Sequence, residues 1–129
     1  MEEKKIQGFS EKGYYLQKTG GRRLSNTAHT HTFYEFLYIV KGSCIHEINK
    51  EHERLRSGDL VFLCPGVSHR FLSQSEDADV IALSVVTKEI NRFLSLYEIH
   101  DLPSSFSVIR LSPESRQTLL SICENVVFT

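Results

Sequence analysis

Three imidazoles and one carboxylate stand at spacings that a folded β-structure could gather at one point. His29, His31 and Glu35 lie in the run His29-Thr30-His31-Thr32-Phe33-Tyr34-Glu35, and His69 closes the run Pro65-Gly66-Val67-Ser68-His69. Side chains alternate faces along an extended strand, so the odd positions 29, 31 and 35 share a face with Phe33, Leu37 and Ile39. Two histidines at i and i+2 with a carboxylate four residues on form half a metal cage; the missing half must come from another strand, and His69 is the candidate. Imidazole nitrogen and carboxylate oxygen suit a divalent transition metal such as zinc, iron, manganese or nickel. Such a site needs neutral imidazoles, so its affinity should fall as pH drops through their titration range. A second reading stands beside the first: the same residues as inward polar groups around a sugar or water pocket, hydrogen-bonded to Glu35 with no metal.

Phe33, Leu37 and Phe71 have the parity of the histidines and are expected to wall the same cavity. Apolar walls with a few convergent polar groups are the usual form of a small-molecule site. His46, His52 and His100 are expected to be solvated or satisfied locally. Tyr34, Phe36 and Tyr38 read as core packing rather than as a platform for stacking bases or sugars, and Cys64 as a buried bystander.

These residues need strands to hold them. From His29 to Val40 the chain is rich in aromatic and β-branched residues on both parities, which predicts a strand covered on both sides. Ser43 to Ile48 and His52 to Arg56 flank the polar turn Asn49-Lys50-Glu51 as a hairpin. Leu60 to Cys64, His69 to Leu72 and Val80 to Val86 complete a series of short strands separated by turn signals, which predicts an all-β sandwich or barrel. The period then changes. Ile90, Phe93, Leu94 and Tyr97 fall at i, i+3, i+4 and i+7, so residues 88–98 should form an amphipathic helix. After an apolar piece from Phe106 to Leu111, Ser112-Pro113-Glu114 opens a second helix with Ser as N-cap and Pro at its first position. Leu119, Leu120, Cys123, Val126 and Val127 should line one side of it. Phe128-Thr129 ends the sequence inside that apolar pattern, which predicts one half of a longer protein.

The totals narrow the functional classes. With 129 residues, one domain is expected, covering 1–110 as a barrel with its helix and 111–129 as the start of a linker or dimerisation helix. Fifteen Lys and Arg against sixteen Asp and Glu leave a net charge of -1, so this chain by itself offers no basic face for nucleic acid. No stretch approaches the ~20 apolar residues of a membrane span, the start MEEKK is not a signal peptide, and a cytoplasmic location is expected. The three cysteines are scattered and odd in number, which argues against a disulfide framework.

Two patterns resemble a known family. His29-x-His31-x3-Glu35-x6-Gly42 is similar to the first cupin motif, and Gly58-Asp59-x5-Pro65-Gly66-x2-His69 to the second, with one extra residue between Gly and Pro. The wording HTHTFYEFLYIVKG followed by INKEHERLRSGDLVFLCPGVSHRF resembles the amino-terminal sensor domain of AraC-type transcriptional regulators, closest to the branch of the chitobiose-operon regulator. The resemblance implies a mainly β, cupin-like double-stranded β-helix, or jelly-roll barrel, followed by one or two helices. It implies a small-molecule effector in the barrel, a sugar or sugar phosphate, and homodimerisation through the tail (Leu119, Leu120, Cys123, Val127). DNA would be reached only through a helix-turn-helix half absent from this chain. On this reading the domain is not an enzyme. The alternative is a small metal-dependent cupin oxygenase or isomerase using His29, His31, Glu35 and His69 around an open-site ion.

Overall fold

A computed structural model describes residues 2–3, 13–20, 27–72, 77–103 and 105–124. Among these residues ten strands and two helices follow in the order β1 (Glu2–Glu3), β2 (Tyr14–Gly20), β3 (His29–Thr30), β4 (Tyr34–Lys41), β5 (Ser43–Ile48), β6 (Glu51–Arg56), β7 (Asp59–Leu63), β8 (His69–Phe71), β9 (Asp79–Val85), α1 (Thr87–Leu96), β10 (Phe106–Arg110) and α2 (Pro113–Glu124). The strands form two five-stranded sheets, ordered β1-β3-β8-β5-β6 and β10-β7-β4-β9-β2. All pairings are antiparallel except that of the two-residue β1, which joins β3 in parallel.

Alternation along the strands decides what lies between the sheets. Glu35, Leu37 and Ile39 of β4, Cys44, His46 and Ile48 of β5, and Val61 and Leu63 of β7 are all buried, while their neighbours are less so. Leu37, Ile39, Ile48, Leu55, Val61, Leu63, Phe71 and Val80 come from both sheets and meet in one core. The two sheets therefore face each other as a cupin-like β-barrel. The hairpin β5–β6 turns through Asn49 and Lys50, both at positive φ (48° and 70°), the backbone of a tight turn that matches strand twist.

The outer face of the second sheet carries its own apolar layer. Leu16, Tyr38 and Ile81 are buried there, with Leu60, Leu111, Leu119 and Leu120 packed against them, so α2 lies over the sheet. The start of α2 is as the sequence predicts: Ser112 Oγ accepts the Ser115 N–H at 3.2 Å. Gly58 anchors the helix from below. Its carbonyl accepts the Leu111 N–H at 2.9 Å, its φ is +95°, and a Cβ at this position would lie 2.7 to 2.9 Å from the Arg116 side chain. Asp59 accepts from the Arg56 N–H at 2.9 Å and from Arg110 at 3.1 Å. The Gly58-Asp59 pair thus ties the barrel to its carboxy-terminal elements and stands apart from the histidines in role.

One expectation is corrected. The run from His29 to Val40 is two strands in different sheets: the chain bends at residues 31–33 and crosses from β3 to β4. The helix predicted for residues 88–98 forms, at Thr87–Leu96; none of its residues is buried, and Phe93, Leu96 and the C-cap Tyr97 are 52%, 72% and 63% exposed. Its apolar stripe is covered only in part: Ile90 and Leu94 are half-buried, while Phe93 and Leu96 stay exposed. Among those residues no helix is long and apolar enough to cross a membrane.

Candidate functional site

The corner between β3 and β4 brings the first motif together, and a backbone bond joins it to the second. His29 in β3 lies directly opposite His69 in β8. The His31 carbonyl accepts the Gly66 N–H at 2.9 Å, so the Pro65-Gly66 turn is pinned beside the first pair of histidines. Glu35 enters from β4, flanked in its sheet by Leu63 and Ser84, and Ser84 Oγ donates to Glu35 Oε2 at 3.4 Å.

The four side chains, all buried, converge between the sheets. His31 Nε2 lies 3.2 Å from His69 Nε2. Glu35 reaches both, with Oε2 at 3.6 Å from His31 Nε2 and Oε1 at 3.6 Å from His69 Nε2. The three rings form a near-equilateral triangle, with centroids 4.4, 4.8 and 4.9 Å apart. One ring nitrogen from each lies within 4.8 Å of the others. Ligand atoms bound to one ion at ~2.0–2.1 Å stand about 3.0 to 3.4 Å apart. The His31–His69–Glu35 edges approach that range, with His29 set further back, so this donor set suits a divalent transition metal.

Hydrogen bonds on the far side of the rings support the same orientation. A carbonyl can only accept, so the 2.8 Å contact from His29 Nδ1 to the Thr27 carbonyl places the His29 proton on Nδ1 and leaves Nε2 with its lone pair. Phe33 stacks on His31 at 4.4 Å and 23°. Leu37 and Phe71 lie in the main core, Phe71 stacked on His46 at 4.7 Å and 30°.

His46 is the correction that matters most. Expected to be solvated or satisfied locally, it is 0% exposed and its Nε2 is 2.9 Å from His69 Nδ1. Burial, with a smaller contribution from His29, pushes its pKa down to about 3, so it is neutral at physiological pH. Its even parity with the apolar Cys44 and Ile48 was the available signal. His52 instead is exposed and bonds Glu47 at 3.0 Å, and His100 is exposed. Arg70 also binds Glu47, at 2.7 Å, and holds that carboxyl below its ordinary range.

The remaining candidates lie on α2. Leu119 and Leu120 are half-buried against the outer face of the second sheet, and Ile122 beside them is exposed. Of Cys123 the backbone is described, within α2, and Val126 and Val127 lie outside the described residues. Leu60, Leu111, Glu114, Ser115, Thr118, Leu119 and Ile122 line a groove of about 460 Å³ along the helix. Cys44 and Cys64 are both buried, and burial raises both thiols, Cys44 to about 12, with Asp59 and Asp77 adding to the shift.

Comparison with known proteins bears on the fold. Solved structures with similar folds include a point variant of ToxT from Vibrio cholerae in its apo form, with a TM-score of 0.66 and 16% identity over 91% of this chain. Wild-type ToxT from Vibrio cholerae, bound to an unsaturated fatty acid, matches with a TM-score of 0.62 and 14% identity over 87%. The chain spans about half the length of each, 49% and 45%. No curated protein sequence matches it. A model of the AraC-like ligand binding domain matches residues 13–126, which takes in the second sheet, the histidine cluster and α2 together, and the chain belongs to that family.

Proposed function

We propose that this domain senses a sugar or sugar phosphate for an AraC-type transcription factor, binding it inside the barrel above a metal held by His29, His31, Glu35 and His69. The observation that carries the reading is the buried convergence of three imidazoles and one carboxylate from both sheets in a ligand-binding family. When bound, such an ion would supply a Lewis-acidic point for a hydroxyl or phosphate oxygen. Phe33, Leu37 and Phe71 supply apolar walls against which a sugar ring can lie. ToxT binds a fatty acid; the polar floor here suits a hydroxyl-rich ligand better than an acyl chain, because hydroxyls can hydrogen-bond to polar groups and an acyl chain cannot.

The domain on this reading is not an enzyme. Effector binding shifts the placement of a separate DNA-binding half, which requires different effector affinity in two states of the whole protein. Association into a homodimer runs through α2, where Leu119 and Leu120 keep part of their surface and Ile122 is 56% exposed.

The test is thermal unfolding with zinc, manganese or chelator, against mono- and disaccharides, their phosphates and an unsaturated fatty acid. Stabilisation by a sugar that is lost with the chelator is the expected result. Stabilisation by the fatty acid alone would replace the sugar reading with a lipid one, and metal-dependent turnover of a substrate would replace the sensor with an enzyme.

A further inference from the structure

His46 occupies a position where an apolar residue would fit. It sits between Cys44 and Ile48 on the inward parity of β5, is fully buried, and stacks on Phe71. Its Nε2 is matched with His69 Nδ1 at 2.9 Å, and its Nδ1 is buried with no hydrogen-bond partner among the described residues. Leaving a buried polar atom unpaired is unfavourable, so an imidazole here demands an explanation that packing does not give.

The proton positions supply one. A neutral imidazole carries one N–H, and His69 can present a lone pair at Nε2, toward His31 and Glu35, only when its proton is on Nδ1. A buried N–H at Nδ1 needs an acceptor, and His46 Nε2 is placed to accept. That in turn puts the His46 proton on its own Nδ1. In the opposite arrangement His46 donates from Nε2, and the His69 proton moves to Nε2, where it blocks the lone pair. The pair thus has two mutually exclusive proton arrangements, and only one leaves His69 able to ligate.

We propose that His46 is a positioning residue that fixes the Nδ1–H tautomer and ring orientation of His69 for a divalent transition metal, a role that rests on the metal reading above. Partners of this kind on the far side of a ligating imidazole typically change metal affinity 10–100-fold. The four metal candidates and His46 then form one unit of five side chains.

The test measures zinc affinity by chelator competition in the full chain and in His46→Phe and His46→Gln. It is joined by long-range proton–nitrogen NMR of the unsubstituted chain, which reads tautomers directly. His46→Phe keeps the ring stack but removes the acceptor, and is expected to weaken zinc binding about 10–100-fold. His46→Gln restores an acceptor oxygen near the old Nε2 and should recover most of the loss. The zinc-loaded spectrum should show the protons of both His46 and His69 on Nδ1. Equal zinc affinity in the full chain and His46→Phe, or a His69 proton on Nε2 in the zinc-loaded chain, overturns the role of His46 and leaves the metal site standing. Absence of zinc binding by the unsubstituted chain removes both.

Discussion

Two regions share the space between the sheets and are built on opposite terms. In one, Ile39, Ile48, Leu55, Val61, Leu63 and Val80 pack with almost no exposure and no polar atoms to satisfy. In the other, His29, His31, His46, His69 and Glu35 are buried together, with Glu35 against His31 and His69 and His46 against His69. Burying apolar surface stabilises by about 25 cal/mol per Å², whereas buried imidazoles and carboxylates only recover what desolvation takes if every polar atom is paired. The aliphatic region therefore carries the stability, and the imidazole region is tolerated for what it binds.

The largest effect should come from breaking the first region. Leu55→Ala removes a fully buried side chain and is expected to lower unfolding free energy by about 2–5 kcal/mol in urea titration, much of what a domain of this size has. His31→Ala is the counterpart. In excess zinc at ~100 times its dissociation constant the unsubstituted chain should gain about 3 kcal/mol, and His31→Ala should gain none. If zinc stabilised both alike, the second region would not be a binding site and the contrast would collapse.

Acid sharpens the comparison further. An unfolded histidine takes a proton below about pH 6.5, whereas folded His46 refuses one until about pH 3. Between those values the unfolded state holds more protons, so stability falls as pH drops and is unaffected by this group above about 6.5. With chelator present, the stability difference between His46→Phe and the unsubstituted chain should move in favour of the variant by roughly 1 kcal/mol per pH unit below 6.5. Parallel curves from pH 7 to 5 would mean that His46 is protonated in place.

The aliphatic region was legible and the imidazole region only partly so, for one physical reason. Period-two alternation with turn residues marks strands and their inward parity, which is why the β5–β6 hairpin and the strands around Leu63 and Val80 follow the sequence closely. The four candidate ligands were visible because two motifs supplied them. The route by which they meet was not, since one continuous strand and a strand broken at residues 31–33 present the same parity. His46 shared the parity of Cys44 and Ile48, yet a histidine in a hairpin reads as polar unless the parity is given more weight than the residue type. The stripe on α1 shows the limit from the other side: periodicity identifies an apolar face and is silent on what covers it.

The smallest predicted change joins the two regions at Gly66. Its φ of +86° lies in the left-handed region, and a Cβ there would meet nothing within 4 Å, so Gly66→Ala is penalised by backbone conformation alone. About 1 kcal/mol is expected, measured by urea unfolding. Because the Gly66 N–H holds the His31 carbonyl at 2.9 Å, the strain bears on the corner that aims His31. If the turn keeps its shape, zinc affinity should fall by no more than a few-fold while stability drops. A loss of zinc binding as complete as that of His31→Ala would mean that the turn, and not the packing of the rings on Phe33 and Phe71, holds the imidazoles in place.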